Sequence, residues 1–328
     1  MNRLIVGLLI VFLTESVVLA QEQYYTTLST NISKSVALGG ATTAVAGDPL
    51  SMGINPATFR LFPLPGSAHG VVMVNPVGIY ALKSAIHDSQ DFEEQLTTGA
   101  RLVIRFVGVS YQFFDLGIRF SDEIFSESDQ DLIPDKDVLN FHTNTVLMRI
   151  KLHSLVSLGW EAIGYTHYDK IDQFGYSYGV LLKPGSKVEV GVSYLDNPSH
   201  YLNVSHPLER LTNETINIGI AFRLSSGTQV SLDLRNITDE NQPAFLEPHL
   251  GVEQIVNRHV VLRGGGFVFT DSDRKILSTG IGLLDWNYFF RWSRRFSVPN
   301  YAVQYGAAFE FTKDLDRVWH SLTCCVRF

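Results

Sequence analysis

From about residue 170 onward the chain places an apolar residue at every second position, segment after segment. Val188, Val190, Val192 and Tyr194 interleave with Glu189, Gly191 and Ser193. Ile216, Ile218, Ile220, Phe222 and Leu224 oppose Asn217, Gly219, Ala221 and Arg223, and Val230, Leu232 and Leu234 oppose Gln229, Ser231, Asp233 and Arg235. Successive side chains of a strand project to opposite faces, so a period of two means strands with one apolar and one polar face. An aromatic content of 12% together with 26 glycines suits strands and tight turns, which makes an all-helical protein improbable.

The connections alternate in length. Tight turns are expected at Lys183-Pro184-Gly185-Ser186, Ser225-Ser226-Gly227, Asn257-Arg258 and around Asp285-Trp286-Asn287, with longer polar stretches such as 197–213 and 237–244 between them. Short turns on one side and long loops on the other mark an up-and-down antiparallel barrel of an outer membrane. A soluble β-sandwich also alternates, with its apolar face inward. The low charged content of 18% and the aromatic residues near strand ends (Tyr176, Tyr178, Tyr194, Tyr288, Phe289, Phe290, Trp292) favour the membrane barrel.

The pattern predicts an all-β transmembrane barrel of about fourteen strands. Their spans are 67–77, 100–106, 109–120, 138–151, 154–168, 172–183, 187–196, 214–224, 227–236, 245–256, 258–270, 275–284, 287–295 and 301–311. The barrel thus covers 67–311, preceded by a plug segment over 21–66, and 312–328 is either a C-terminal extension or the final strand. Even parity favours closure at Phe311; Leu322, Cys324, Val326 and Phe328 form the rival strand. The acidic run 121–137 becomes an extracellular loop.

Arg3, the apolar run Leu4–Leu13 and Val18-Leu19-Ala20 read as a cleaved signal peptide over 1–20, with an apolar core too short to span a bilayer. Export to the bacterial outer membrane follows as the expected localisation. A net charge of -7 leaves no basic excess for a phosphate backbone, so nucleic acid is not an expected partner, whereas outer-membrane lipid is. The adjacent Cys324 and Cys325 cannot make a long-range disulfide framework. The ten histidines have no zinc spacing, and no G-x-S-x-G elbow or P-loop occurs. No catalytic residue, metal or cofactor is therefore expected, and the chain is not expected to be an enzyme.

Residues 35–59 differ in kind: small residues dominate and the alternation is absent. Ala37-Leu38-Gly39-Gly40-Ala41, then Ala44 and Ala46-Gly47-Asp48, then Asn55-Pro56-Ala57 resembles the N-terminal signature of the FadL superfamily of outer-membrane barrels. Leu262-Arg263-Gly264-Gly265-Gly266 and Gly280-Ile281-Gly282-Leu283 are similar to late strands of its PorV/PorQ-like branch. Thr58 stands where the family often has Gly. The resemblance implies a plug in the barrel lumen, with Gly39, Gly40, Ala41, Asp48, Asn55, Pro56 and Ala57 as its motif. It also implies one of two functions: passage or binding of fatty-acid-like hydrophobic molecules, or a non-transporting partner barrel for secretion-system proteins. Those motif residues are read either as rigid corners alone or as parts of a gate.

By alternation Glu189, Arg223, Asp233, Arg235, Glu247, Glu253 and Glu310 face the lumen, with Arg263 and Arg291 beside them. Two readings follow: a polar path for a solute, or charges on adjacent strands paired to satisfy a narrow interior.

Overall fold

The computed structural model describes residues 24–28, 33–45, 55–59, 68–74, 103–121, 124–125, 141–167, 170–196, 214–225, 227–235, 237, 246–257, 260–268, 275–284, 301–311 and 316–327. The strands are β1 (Tyr24–Leu28), β2 (Ala68–Val74), β3 (Ile104–Tyr111), β4 (Phe114–Ser121), β5 (Ile124–Phe125), β6 (Phe141–His153), β7 (Val156–His167) and β8 (Lys170–Leu182). They continue with β9 (Val188–Asp196), β10 (Glu214–Arg223), β11 (Thr228–Arg235), β12 (Glu247–Ile255), β13 (Val260–Val268), β14 (Lys275–Leu284), β15 (Tyr301–Phe311) and β16 (Asp316–Arg327). A short helix, α1, spans Ser33–Ala37, and a 3-10 turn spans Pro56–Thr58.

All strands but β1 and β5 form one antiparallel ring of fourteen. The ring is closed by β16, which pairs with β15 from Tyr301↔Val326 to Glu310↔Arg317 and with β2 from Cys324↔Val74 to Arg327↔Val71. Closure therefore lies at the C-terminal strand, which corrects both the preference for Phe311 and the reading of 312–328 as an extension. Strand 287–295 lies outside the described residues; because β14 pairs directly with β15, no strand stands between them in the ring. The count of fourteen holds with a different membership.

Two further expectations change. The first hairpin turns at Gln112-Phe113, not near 107–108: Gly108 stays in β3 opposite Gly117 of β4, and Gln112 takes the positive φ of 52°. Loop parity is also less regular, since β7 and β8 are separated only by 168–169 and β15 and β16 only by 312–315, both on the long-loop side. Strand β1 was not foreseen. It lies parallel to the first half of β16, Tyr24↔Asp316 to Leu28↔His320, so β1 and β2 share one edge of β16 between them.

Burial decides between membrane barrel and soluble sandwich. Ile218 and Leu232 are each 45% exposed, whereas their neighbours Asn217 and Ser231 are at most 2% exposed. The same inversion recurs at Val109, Ile118, Tyr178, Leu250 and Leu277, all exposed, against Ser110, Gly117, Ser177, Gly251 and Ser278 on the inner face. A water-soluble sheet would bury the apolar face; an apolar exterior around a polar interior fits hydrocarbon outside.

Candidate functional site

The inner face of the ring is lined, strand after strand, by glycine. Gly159 and Gly179 are direct partners across β7–β8, Gly191 and Gly219 across β9–β10, Gly251 and Gly265 across β12–β13, and Gly280 and Gly306 across β14–β15. Each is occupied by the N-terminal segment. A Cβ would overlap the Pro56-Ala57 backbone at Gly159, the Asn55 side chain at Gly179, the Thr43 carbonyl at Gly191 and Leu38 at Gly265. At Gly280 it would overlap Ala37, and at Gly306 the Ser33 carbonyl comes close to the same position. The belt is thus a groove cut to the depth of a backbone, which only residues without a Cβ can make.

The segment's own sequence explains its shape. Helix α1 stops because Gly39 and Gly40 adopt φ of 60° and 75°, a left-handed cap that other residues enter at a cost. The Gly40 N–H donates to Ser35 O at 2.9 Å and Gly39 N–H to Val36 O at 3.1 Å, satisfying carbonyls the helix leaves free. Gly39 also lies against the backbone of Gly265 and Gly266, so it is constrained by both dihedral and space. At the other end Asn55 caps the 3-10 turn: its Oδ1 accepts the Ala57 N–H at 2.9 Å. Its Nδ2 donates to Thr43 O at 2.9 Å and to Val180 O on β8 at 3.1 Å, which ties turn, segment and wall together. Thr58 continues the corner, its hydroxyl donating to Asn55 O at 2.8 Å.

Charged side chains of the wall hold this backbone. Asp233 Oδ2 accepts the Thr43 N–H at 2.7 Å, Arg235 donates to Gly40 O, and His249 Nδ1 lies 2.7 Å from Gly39 O with its ring stacked on Phe267. Arg149 donates from Nε to Ala57 O at 3.2 Å while its other nitrogens hold Asp115 at 2.6 Å and Ser157 at 2.7 Å. Lys34 of α1 meets Glu253 at 3.4 Å, and Glu253 also accepts from Arg263 at 2.7 Å. A buried charge without such partners would cost several kcal/mol, so both wall and segment depend on the contact.

The expected residues divide accordingly. Gly39, Gly40, Ala41, Asn55, Pro56 and Ala57 lie together on the inner wall and are fully or nearly fully enclosed; Asp48 lies outside the described residues, as does Arg291. Asp233 and Arg235 contact the segment directly, and Glu253 does so through Lys34. Glu247 sits opposite Arg235 with its carboxylate 3.6 Å from His249 Nε2. Glu310 is buried opposite Arg317. Glu189 and Arg223 stand apart, at the short-turn mouth, joined at 3.4 Å, with Lys183 on the same carboxylate at 2.7 Å. Sequence reasoning did not single out the glycine belt, His249, Lys34 or Arg149. The belt left a signal: glycine recurs at inward positions of consecutive strands.

No family model and no curated protein matches this chain. Among solved structures, a Pseudomonas aeruginosa FadL homologue is similar over 93% of this chain and 99% of its own, with a TM-score of 0.50 and 8% sequence identity. The Ralstonia pickettii toluene transporter TbuX covers 90% of this chain and 96% of its own at a TM-score of 0.46 and 11% identity. A Rhodopseudomonas blastica porin variant covers 68% and 76%, at 0.38 and 8%. At such identity the likeness to the FadL homologue is one of fold, a closed antiparallel barrel of FadL-like architecture, here with fourteen strands.

Proposed function

We propose that this protein is an outer-membrane barrel that binds hydrophobic small molecules or passes them across the outer membrane, with residues 21–66 as its plug. The observation that carries this reading is the N-terminal segment bonded across the inner wall. From Phe59 near Gly117 of β4 round to Ser33 at Ser321 and Thr323 of β16, it meets most of the ring. A barrel so filled suits selective admission and not the open aqueous hole of a general porin. The FadL-like fold and the Asn55-Pro56-Ala57 motif support the substrate class. Binding and uptake of a labelled fatty acid by proteoliposomes test it: retention or uptake above that of empty vesicles is expected, and an excess of neither would overturn it.

The density of bonds between segment and wall favours a second reading, a PorV-like partner barrel for protein secretion or envelope assembly, in which the segment is a permanent brace. Copurification from native membranes, with bound species identified by mass spectrometry, separates the two.

A further inference from the structure

Among the described residues, the short-turn mouth gathers four cations around a single carboxylate, Glu189. Lys151 lies two residues before the end of β6, Lys183 and Lys187 flank the β8–β9 turn, and Arg223 ends β10. All four stand in the inward register: Lys151 is opposite the buried Ser157, Lys183 and Lys187 follow the inward Leu181 and precede the inward Glu189, and Arg223 follows Ala221. Lys151, Lys187 and Arg223 are exposed. Glu189 is the acidic group placed among them, and it already holds Lys183 and Arg223. The described residues of the short turns contain no Asp or Glu, although the chain as a whole has a net charge of -7.

Lys187 and Arg223 face each other across β9–β10, the Arg223 N–H donating to Lys187 O at 2.8 Å. Like charges directly opposite in a sheet repel, and Glu189, already shared with Lys183, offsets this only in part. We propose that this mouth is a docking site for an acidic peptide segment of a periplasmic partner protein. The short-turn face of an outer-membrane barrel is the periplasmic one. Lipid headgroups fit less well, because the outward positions at this level are the exposed apolar Leu152, Leu182 and Leu224 while the cations occupy the inward register. The patch as a whole is longer than a single small anion: β6 to β10 spans four strand spacings, about 19 Å, the reach of roughly six extended residues.

The test uses the full chain in phosphatidylcholine nanodiscs and fluorescein-labelled octaglutamate, followed by anisotropy at low salt. Wild type should bind, and Lys151→Glu combined with Lys187→Glu should weaken binding at least about tenfold and flatten its salt dependence. Both side chains are exposed, away from the packed inner wall, and an unchanged heat-modifiable band confirms that the variant is assembled. The milder Lys187→Gln should lose about threefold, with Lys187→Arg restoring binding. Equal binding by wild type and the charge-reversed variant would overturn the proposal. So would displacement of the bound peptide by inorganic phosphate at constant ionic strength.

Discussion

Thr43 and Asp233 are 190 residues apart in sequence, and the backbone N–H of the first is held by the carboxylate of the second at 2.7 Å in the closed interior of the barrel. The bond joins a segment of small residues, which has almost no side-chain chemistry of its own, to a strand that supplies the charge. Arg235 and His249 extend the same grip to Gly40 and Gly39, so β11 and β12 act as a clasp on the turn that follows α1.

Asp233→Ala should therefore leave the buried Thr43 N–H without its acceptor, at a cost of about 1–3 kcal/mol. Asp233→Asn keeps an acceptor oxygen and should cost less. Urea unfolding of the refolded barrel measures both, and limited proteolysis reads whether residues near Thr43 become accessible. Equal stability of Ala and wild type would mean that the clasp contributes nothing.

The glycine belt predicts a sharp positional contrast. Gly265→Ala and Gly191→Ala place a methyl group into the backbone of Leu38 and Thr43, and each should displace the segment or destabilise the barrel by about 1–3 kcal/mol. Gly185→Ala meets nothing within 4 Å and should be neutral. Protease sensitivity of the N-terminal segment, compared across the three variants, checks this; a uniform response would deny the belt its role as a groove.

On the outer face, Leu232→Arg should cost about 2–4 kcal/mol near the midplane, whereas Leu232→Phe should fold normally. At inward Ser231, only 2% exposed, an arginine would meet the packed interior instead of lipid. Folding yield into lipid vesicles decides: an arginine tolerated as well as phenylalanine would place Leu232 out of hydrocarbon.

Periodicity made the barrel legible, since lipid outside and a polar lumen inside impose one alternation on every strand. Ends of strands were less legible. Gly108 looks like a turn residue but packs inside the ring opposite Gly117, and the true turn at Gln112-Phe113 has no glycine to announce it. The alternation of Leu322, Cys324 and Val326 was visible in the last strand, but counting 287–295 as a strand made the parity even without it; β1 was missed because five residues contain no information about a partner nearly 300 residues away. For the lumen, register placed Asp233, Arg235 and Glu253 inward but could not say whether they meet neighbouring strands, a solute or the segment. That depends on what fills the barrel, and only the three-dimensional packing of Gly39, Thr43 and Lys34 against them answers it.

Closure by β16 yields a direct test. Ending the chain after Thr312 removes the partner of both β15 and β2, leaving two open edges that lipid cannot satisfy. No heat-modifiable barrel should form. A truncated chain that still assembled would require a ring of different membership.

The N-terminal segment bears the functional reading, and its corner at Asn55 is the place to loosen it without removing it. Asn55→Ala deletes the acceptor for the Ala57 N–H and the donor to Thr43 O and Val180 O, leaving those groups enclosed at the inner wall. Each is worth about 1 kcal/mol net, enough to populate a displaced segment without unfolding a fourteen-stranded ring. If the segment gates a passage, planar-bilayer recordings of Asn55→Ala with Pro56→Ala should show flickering conductance. Deletion of residues 33–59 should then give a steady and larger one, because the groove left behind is lined by Asp233, Arg235 and Arg149 instead of backbone. Correct assembly is checked by heat modifiability before each recording. A deleted and assembled barrel that stays closed to ions would remove the gate reading and leave the segment as a brace of a partner barrel.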